Sequence, residues 1–217
     1  MVILRIPASI RARQLARPHG LLAGRTLDKL DAANAARMRA CVEAAGTRAG
    51  ETGADFGFGG GAGLAALLDA VGPTGHVHGV EMSAAALRRA RRCFRDQVRA
   101  GRLELHDGTL SVAPLPAHCL DVVTSTNTLY FVPNLEPVGR ELGRLAAPGA
   151  RVVVAVANPE RMRDSDMPLD GFVLRPVDEL VAGLTSSGDL TCHGVRELPD
   201  DPMGFSLLVL GPAGRTP

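Results

Sequence analysis

Asp55-Phe56-Gly57-Phe58-Gly59-Gly60-Gly61-Ala62-Gly63 is the stretch whose reading decides the fold. A short segment from about Glu51 to Phe56 leads into it, and the apolar run Leu64-Ala65-Ala66-Leu67-Leu68 leads out. That order reads as strand, glycine turn, helix. Five glycines among the seven residues 57–63 suit a backbone that turns tightly and lets a ligand approach its amides. The helix beyond the turn aims its first N–H groups, and the positive end of its dipole, at whatever sits there. A carboxylate or a phosphate is held equally well, so the glycines alone do not name a ligand.

Working outward, strands and helices alternate. The helix after the turn runs from Ala62 to about Ala70, and Gly72-Pro73-Thr74-Gly75 turns the chain into a second strand, His76–Glu81. Ser83 is placed as the N-cap of a helix reaching to about Ala100, with Leu87, Ala90, Phe94 and Val98 as its buried stripe and six arginines around the rest. Leu103–Asp107 and Cys119–Ser125 read as the third and fourth strands, Leu135–Ala146 as a helix stopped by Ala147-Pro148-Gly149, and Arg151–Val156 as the fifth strand. A polar, irregular stretch follows Asn158-Pro159 to about Arg175, then a helix from Pro176 to Ser186. Two last strands, Leu190–Leu198 and Phe205–Leu210, are too close for a helical crossover and must pair antiparallel.

The predicted fold is therefore α/β: a doubly wound, mostly parallel, seven-stranded Rossmann-like sheet with a terminal antiparallel hairpin. Residues 1–49 are read as an N-terminal helical extension and 50–217 as the sheet domain. After the turn signal Arg17-Pro18-His19-Gly20, a helix is expected from Leu21 to about Ala45. Such an extension cannot join the parallel sheet directly; it lies across the mouth of the site, or else covers a sheet edge or makes a homodimer contact.

Composition narrows the class. The 217 residues carry a formal net charge of +1, which points neither to nucleic acid nor to an anionic membrane. The arginine-rich helix 83–100 is read as a solvated face. The four cysteines, Cys41, Cys93, Cys119 and Cys192, form no C-x-x-C pair, so no metal site or disulfide framework is indicated. The first 27 residues hold five arginines and no acid, but lack the apolar core of a secretory signal, and no run approaches a membrane span. Arginine outnumbers lysine so strongly (Lys29 is the only lysine) that the composition looks bacterial and high in GC. A cytoplasmic protein is expected.

Two spacings fit the glycine turn. G-x-G-x-x-G/A lies on Gly57, Gly59 and Ala62; D-x-G-x-G-x-G lies on Asp55, Gly57, Gly59 and Gly61. An acid two residues before the first glycine repels a pyrophosphate but accepts hydrogen bonds from an ammonium group or from water beside one. Glu81, 20 residues after Gly61, ends the second strand where an acid can accept both hydroxyls of a ribose. Asp107, followed by Gly108-Thr109, ends the third and can accept from an exocyclic amine.

Together these motifs, with Val80-Glu81-Met82-Ser83, His106-Asp107-Gly108, Asp121-Val122-Val123, Asn127-Thr128-Leu129 and Leu145-Ala146-Ala147-Pro148-Gly149-Ala150, resemble the class I S-adenosylmethionine-dependent methyltransferases over about residues 50–210. Arg17-Pro18-His19-Gly20-Leu21 is similar to the opening of a bacterial small-molecule subgroup. The resemblance implies S-adenosylmethionine as cofactor and a small molecule as methyl acceptor at O, N or C. It puts Asp55, Gly57, Phe58, Gly59 and Gly61 around the methionine end, Glu81 on the ribose, Met82 on the adenine, and Asp107 with Gly108 at the adenine amine. Thr126 and Asn127 then stand after the fourth strand, with Asn127 facing both the sulfonium and the acceptor. Candidates for a general base are His19 and Tyr130, the only tyrosine.

One departure stands out. Glu51-Thr52-Gly53-Ala54 precedes Asp55 where the family places bulky aliphatics, which makes the first strand thin and weakly β-forming and predicts reduced cofactor affinity or a rearranged strand. Rival readings are weaker. A short-chain dehydrogenase needs a Tyr-x-x-x-Lys pair that the single tyrosine and single lysine do not supply. A nucleic-acid methyltransferase lacks an Asn/Asp-Pro-Pro-Tyr-like signature and stacking aromatics. A non-catalytic cofactor-binding module is the remaining alternative. Within residues 161–175, Asp164, Asp166, Asp170 and Phe172 are read as part of a lid over the acceptor, the acids tolerating a cationic one.

Overall fold

The computed structural model describes residues 7–20 and 23–214; the expected helix start at Leu21 lies outside them. Two helices come first, α1 (Ala8–Ala16) and α2 (Ala23–Ala44). Strands β1 (Thr52–Phe56), β2 (His76–Glu81), β3 (Leu103–Asp107), β4 (Leu120–Thr126), β5 (Ala146–Val156), β6 (Leu190–Glu197) and β7 (Ser206–Pro212) form one sheet in the order β3-β2-β1-β4-β5-β7-β6. The first five are parallel; β7 runs antiparallel to both β5 and β6. The hairpin expected at the end of the chain is therefore present, and β7 inserts between its partner and the parallel set.

Chain order reverses between β1 and β4, so the carboxyl ends of those strands make the switch-point crevice in which open α/β sheets bind ligands. The thin first strand is regular and pairs in register on both sides. Its small residues have a packing reason. A Cβ on Gly53 would stand 3.3 Å from Leu67 of α3 (Ala62–Val71), and Ala54 is fully buried. A bulky residue at 53 would push that helix off the sheet.

Three local expectations are corrected. The helix after Ser83 is two helices, α4 (Ala84–Cys93) and α5 (Arg95–Arg99). Phe94 leaves helical geometry at φ −107°, ψ 29°, because its ring packs on the glycine turn: a Cβ at Gly61 would meet it at 2.8 Å. Val98 consequently leaves the buried stripe and is exposed. Beyond α6 (Glu136–Leu145), β5 starts at Ala146 rather than Arg151, with an irregularity in its pairing to β4 that takes up Pro148 and Gly149. The stretch after Asn158 opens with a short helix, α7 (Pro159–Arg163), whose N-terminal amides at Glu160 and Arg161 bond the Asn158 side chain; α8 (Val177–Thr185) follows.

The position of α2 follows from its length. Twenty-two residues span about 33 Å at 1.5 Å per residue, more than β1 or β4 with five and seven residues. The chain just past its C-terminus sits beside the middle of β5, where Arg151 Nε donates to the Ala45 carbonyl at 2.8 Å. Cys41 reaches Thr126 at the end of β4. The first half of the helix therefore overshoots the carboxyl edge of the sheet and stands over the crevice.

Candidate active site

The glycine turn is held from three sides. Gly57, Gly59 and Gly61 all have positive φ, at 70°, 54° and 111°, and a Cβ on Gly57 would collide with Thr128 at 2.4 Å. Glu81, buried at the end of β2, accepts the Gly59 N–H at 3.0 Å and the Ser83 N–H at 2.8 Å. Asp31 of α2 accepts the Ala62 N–H at 3.1 Å, so an acid from the N-terminal helix caps α3. Arg89 of α4 ties the arrangement together: it contacts Asp28 at 2.7 Å and Asp31 at 3.5 Å, and its Nε donates to the Gly60 carbonyl at 3.4 Å.

Asp55 lies at the floor of the turn. Its Oδ1 accepts from Thr124 Oγ1 at 3.3 Å, while Oδ2 is buried without a hydrogen-bond partner among the described residues. Gly63 leaves room for that oxygen, since a Cβ there would come within 2.0 Å of it. Burial above all, then the charges of Glu81 and Asp31, pushes Asp55 up to about 7. Burial also raises Glu81 and Asp31 above the usual carboxylate range, against the backbone amides bonded to each. Three carboxylates around one turn make a negative field, and the orphaned Oδ2 is an acceptor in need of a donor.

A cavity of about 550 Å³ opens beside the turn. One face of α2, with Leu30, Ala33, Asn34 and Arg37, lines it, and so do Tyr130 and Phe172. Their rings stack at 5.9 Å between centroids, with Phe131 edge-on to Phe172 at 4.6 Å. Asn127, at φ 61° just past β4, joins cavity to turn. Its side-chain amide donates to Asn34 Oδ1 at 2.9 Å; the same oxygen accepts from Arg37 at 2.8 Å, and Arg37 pairs with Asp201 through bonds of 2.7 and 3.1 Å.

Among the other expected site residues, Met82 and Asp107 are exposed at the ends of β2 and β3, with Gly108 beside them; Glu81 and Asp107 are register partners. Phe58 is different. Its side chain is fully buried beneath Gly79, leaving only its backbone at the turn. Thr126 turns its hydroxyl to Cys41 Sγ at 3.6 Å, under α2 and away from the glycines. His19 does not meet Tyr130 or Asn127. It is exposed on the Arg17–Gly20 turn, which docks on α4 where the Pro18 carbonyl accepts from Ser83 Oγ at 2.6 Å. Tyr130 lines the cavity, but its buried hydroxyl accepts the Ala157 N–H, and burial pushes its pKa upward, which disfavours the phenolate that a base would use. The three aspartates of the 161–175 segment do not line the cavity, whereas Met162, Met167 and Phe172 do, along with Arg25 and Lys29 from α2. A cationic acceptor loses its expected partners.

Asp31, Asn34, Arg37 and Arg89 were not singled out by the sequence reading. A signal was present: Asp28, Asp31, Asn34 and Arg37 recur every third residue on an otherwise alanine-rich helix, which puts them along one side.

Residues 54–154 match a family described as a methyltransferase domain. The whole fold is similar to a SAM-dependent methyltransferase from Aquifex aeolicus, at 18% identity, TM-score 0.67, and 95% and 99% coverage of the two chains. Just under half of the chain therefore carries the match to a methyltransferase domain, and the fold around it is that of the similar structures. Another similar structure is the geranyl diphosphate C-methyltransferase of Streptomyces coelicolor, at 14% identity, TM-score 0.69, and 92% and 88% coverage. Among curated sequences, the demethylmenaquinone methyltransferase of Halalkalibacterium halodurans is 36% identical over 88 residues, covering 41% of this chain and 36% of that one. The chain spans just over a third of the length of the curated relatives it matches. No described helix is long and apolar enough to cross a membrane.

The cofactor that goes with this match is S-adenosylmethionine, and the residues at the turn fit its amino-acid end. An ammonium group can donate to the orphaned Asp55 oxygen, in a field set negative by Asp31 and Glu81.

Proposed function

We propose that this methyltransferase transfers the methyl group of S-adenosylmethionine to a small, largely apolar molecule held in the cavity under α2. The observation that carries the reading is the position of Asn127, which faces that cavity from the end of β4, one strand from the glycine turn. When bound, the cofactor supplies a methyl group on a positively charged sulfur, activated for in-line displacement.

The chain's own residues bind and align. Asp55 and the turn hold the amino-acid end, Glu81 takes the ribose, and Met82 and Asp107 meet the adenine. Asn127, fixed by Asn34, sets the boundary between the cofactor and the acceptor. Leu30, Phe131, Met162, Phe172 and Phe205 exclude water from the acceptor, so a nucleophile is desolvated when it meets the methyl group. Holding it within about 3–3.5 Å of the methyl and in line with the sulfur accounts for much of the rate of such a reaction. Among the described residues no histidine or carboxylate lines the cavity, which favours acceptors that are nucleophilic without losing a proton, or that lose it to water. Arg25 and Lys29 at the rim favour a neutral or anionic acceptor over a cation. The N-terminal segment and the 161–175 segment together act as the lid. Small-molecule acceptors are named for two of the similar proteins, demethylmenaquinone and geranyl diphosphate.

The test is calorimetric binding of S-adenosylmethionine and S-adenosylhomocysteine, with Asp55→Ala and Glu81→Ala alongside, followed by release of S-adenosylhomocysteine in the presence of apolar acceptors. Micromolar cofactor binding that both substitutions abolish, with acceptor-dependent turnover, is the expected result. Cofactor binding without turnover on any acceptor would return the non-catalytic reading.

A further inference from the structure

His76 and His78 stand two residues apart on β2, and Glu104 and His106 two apart on β3. Residues i and i+2 of a strand share a face, and the parallel register sets His78 beside Glu104. The four side chains thus gather on the face of the sheet opposite to Glu81, away from the glycine turn.

Their ligand atoms converge. His78 Nδ1 lies 3.1 Å from His106 Nε2. Glu104 Oε1 lies 3.6 Å from His76 Nε2, and Oε2 lies 3.9 Å from His78 Nδ1 and 3.7 Å from His106 Nε2. One ligand atom from each of His76, His78 and Glu104 lies within 4.8 Å of the other two. Zinc held by nitrogen and oxygen at about 2.0–2.1 Å in a tetrahedron keeps its ligand atoms about 3.3–3.4 Å apart. The observed separations bracket that value.

Charge points the same way. Glu104 has no arginine or lysine within ion-pair distance among the described residues; its only neighbours of that kind are the three imidazoles. An imidazole offers a nitrogen lone pair to a metal. The histidine side chains are 27%, 12% and 17% exposed at His76, His78 and His106, so an ion can enter from solvent while most of each ring is fixed by the sheet.

We propose that His76, His78, His106 and Glu104 form a binding site for a borderline divalent cation, zinc foremost, that clips the edge strand β3 to β2. Imidazole nitrogens with one carboxylate suit zinc and the neighbouring late transition ions, and disfavour magnesium or calcium, which take oxygen ligands. A metal bound only by the folded register stabilises that register.

The experiment is zinc titration of the chelator-treated chain by calorimetry at neutral pH, with cobalt(II) absorption as a second readout. One equivalent of zinc is expected to bind and to raise the melting temperature. Cobalt should give the visible bands of a nitrogen/oxygen site without the charge-transfer band of a thiolate, which separates this site from the cysteines. Glu104→Gln and His76→Gln should each weaken zinc by about 10-fold or more, and the double variant should lose it. Glu104 is mostly exposed, so its variant folds and keeps the test open; circular dichroism verifies this. Absence of binding by the folded wild type, unchanged affinity in the double variant, or a cobalt–thiolate band would overturn the proposal.

Discussion

Asp31 Oδ1 accepts the backbone N–H of Ala62 at 3.1 Å, so the cap of the helix after the glycine turn comes from a different helix, 31 residues earlier. Gly60 makes this approach possible: a Cβ there would stand 2.1 Å from the Asp31 carboxylate. The N-terminal helix is thereby fastened to the turn at the point where the positive end of the α3 dipole emerges.

Two substitutions should consequently give one phenotype. Asp31→Ala removes the cap, and Gly60→Ala displaces the same carboxylate without touching it chemically. Each is expected to destabilise the protein by about 1 kcal/mol, the size of a lost helix cap, and to weaken cofactor binding. The double variant should be no worse than either single one. Urea unfolding and calorimetry on the three proteins check this; additive losses would mean that the two residues act separately.

Asp55 gives cofactor affinity a pH dependence. Its carboxyl titrates at about 7 in the folded chain against 3.8 ordinarily, and an ammonium ligand selects the ionised form. Affinity for S-adenosylmethionine should rise as pH passes upward through about 7, and Asp55→Asn should be weak and flat. Stability runs the other way. Between 3.8 and about 7 the folded state holds a proton that the unfolded state has lost, so this residue's contribution to stability falls as pH rises across that window. Asp55→Asn should therefore be relatively more stable above neutrality, as read from denaturation curves at several pH values.

Tyr130 tests the absence of a tyrosine base. Tyr130→Phe leaves the Ala157 N–H without its acceptor in a buried position, costing about 1–3 kcal/mol of stability. The shape of the pH–rate profile should not change. Loss of a basic limb in that profile would restore the hydroxyl to the chemistry.

Ala33 separates the cavity from the cofactor turn. It faces the cavity from α2, two residues past Asp31. Ala33→Trp should fill the acceptor space and lower acceptor-dependent turnover by about 10-fold or more through misplacement of the reacting atoms, while cofactor affinity stays as in the wild type. Equal loss of both would place the acceptor elsewhere.

Much of this architecture is legible before any coordinates. The glycine turn after β1, the acids closing β2 and β3, the strand–helix alternation and the final hairpin are properties of short windows. Glycine in the left-handed region, apolar residues at strand or helix period, and too few residues for a crossover all act within about ten positions. The break at Phe94 lay outside that reach, because a long-range contact with Gly61 bends the chain there. So did the placement of His19 outside the cavity, since the turn carrying it docks on α4 instead.

By itself the sequence determined the sheet, its order of elements and the cofactor turn, since backbone conformation and hydrophobic period are local physics. Only the tertiary structure decided what meets across the chain: Asn34 with Asn127 over 93 positions, Arg37 with Asp201 over 164, and His78 with His106 over 28. Those meetings depend on strand register and on how far α2 overshoots the sheet. Both are set by packing among distant segments, which no local window contains.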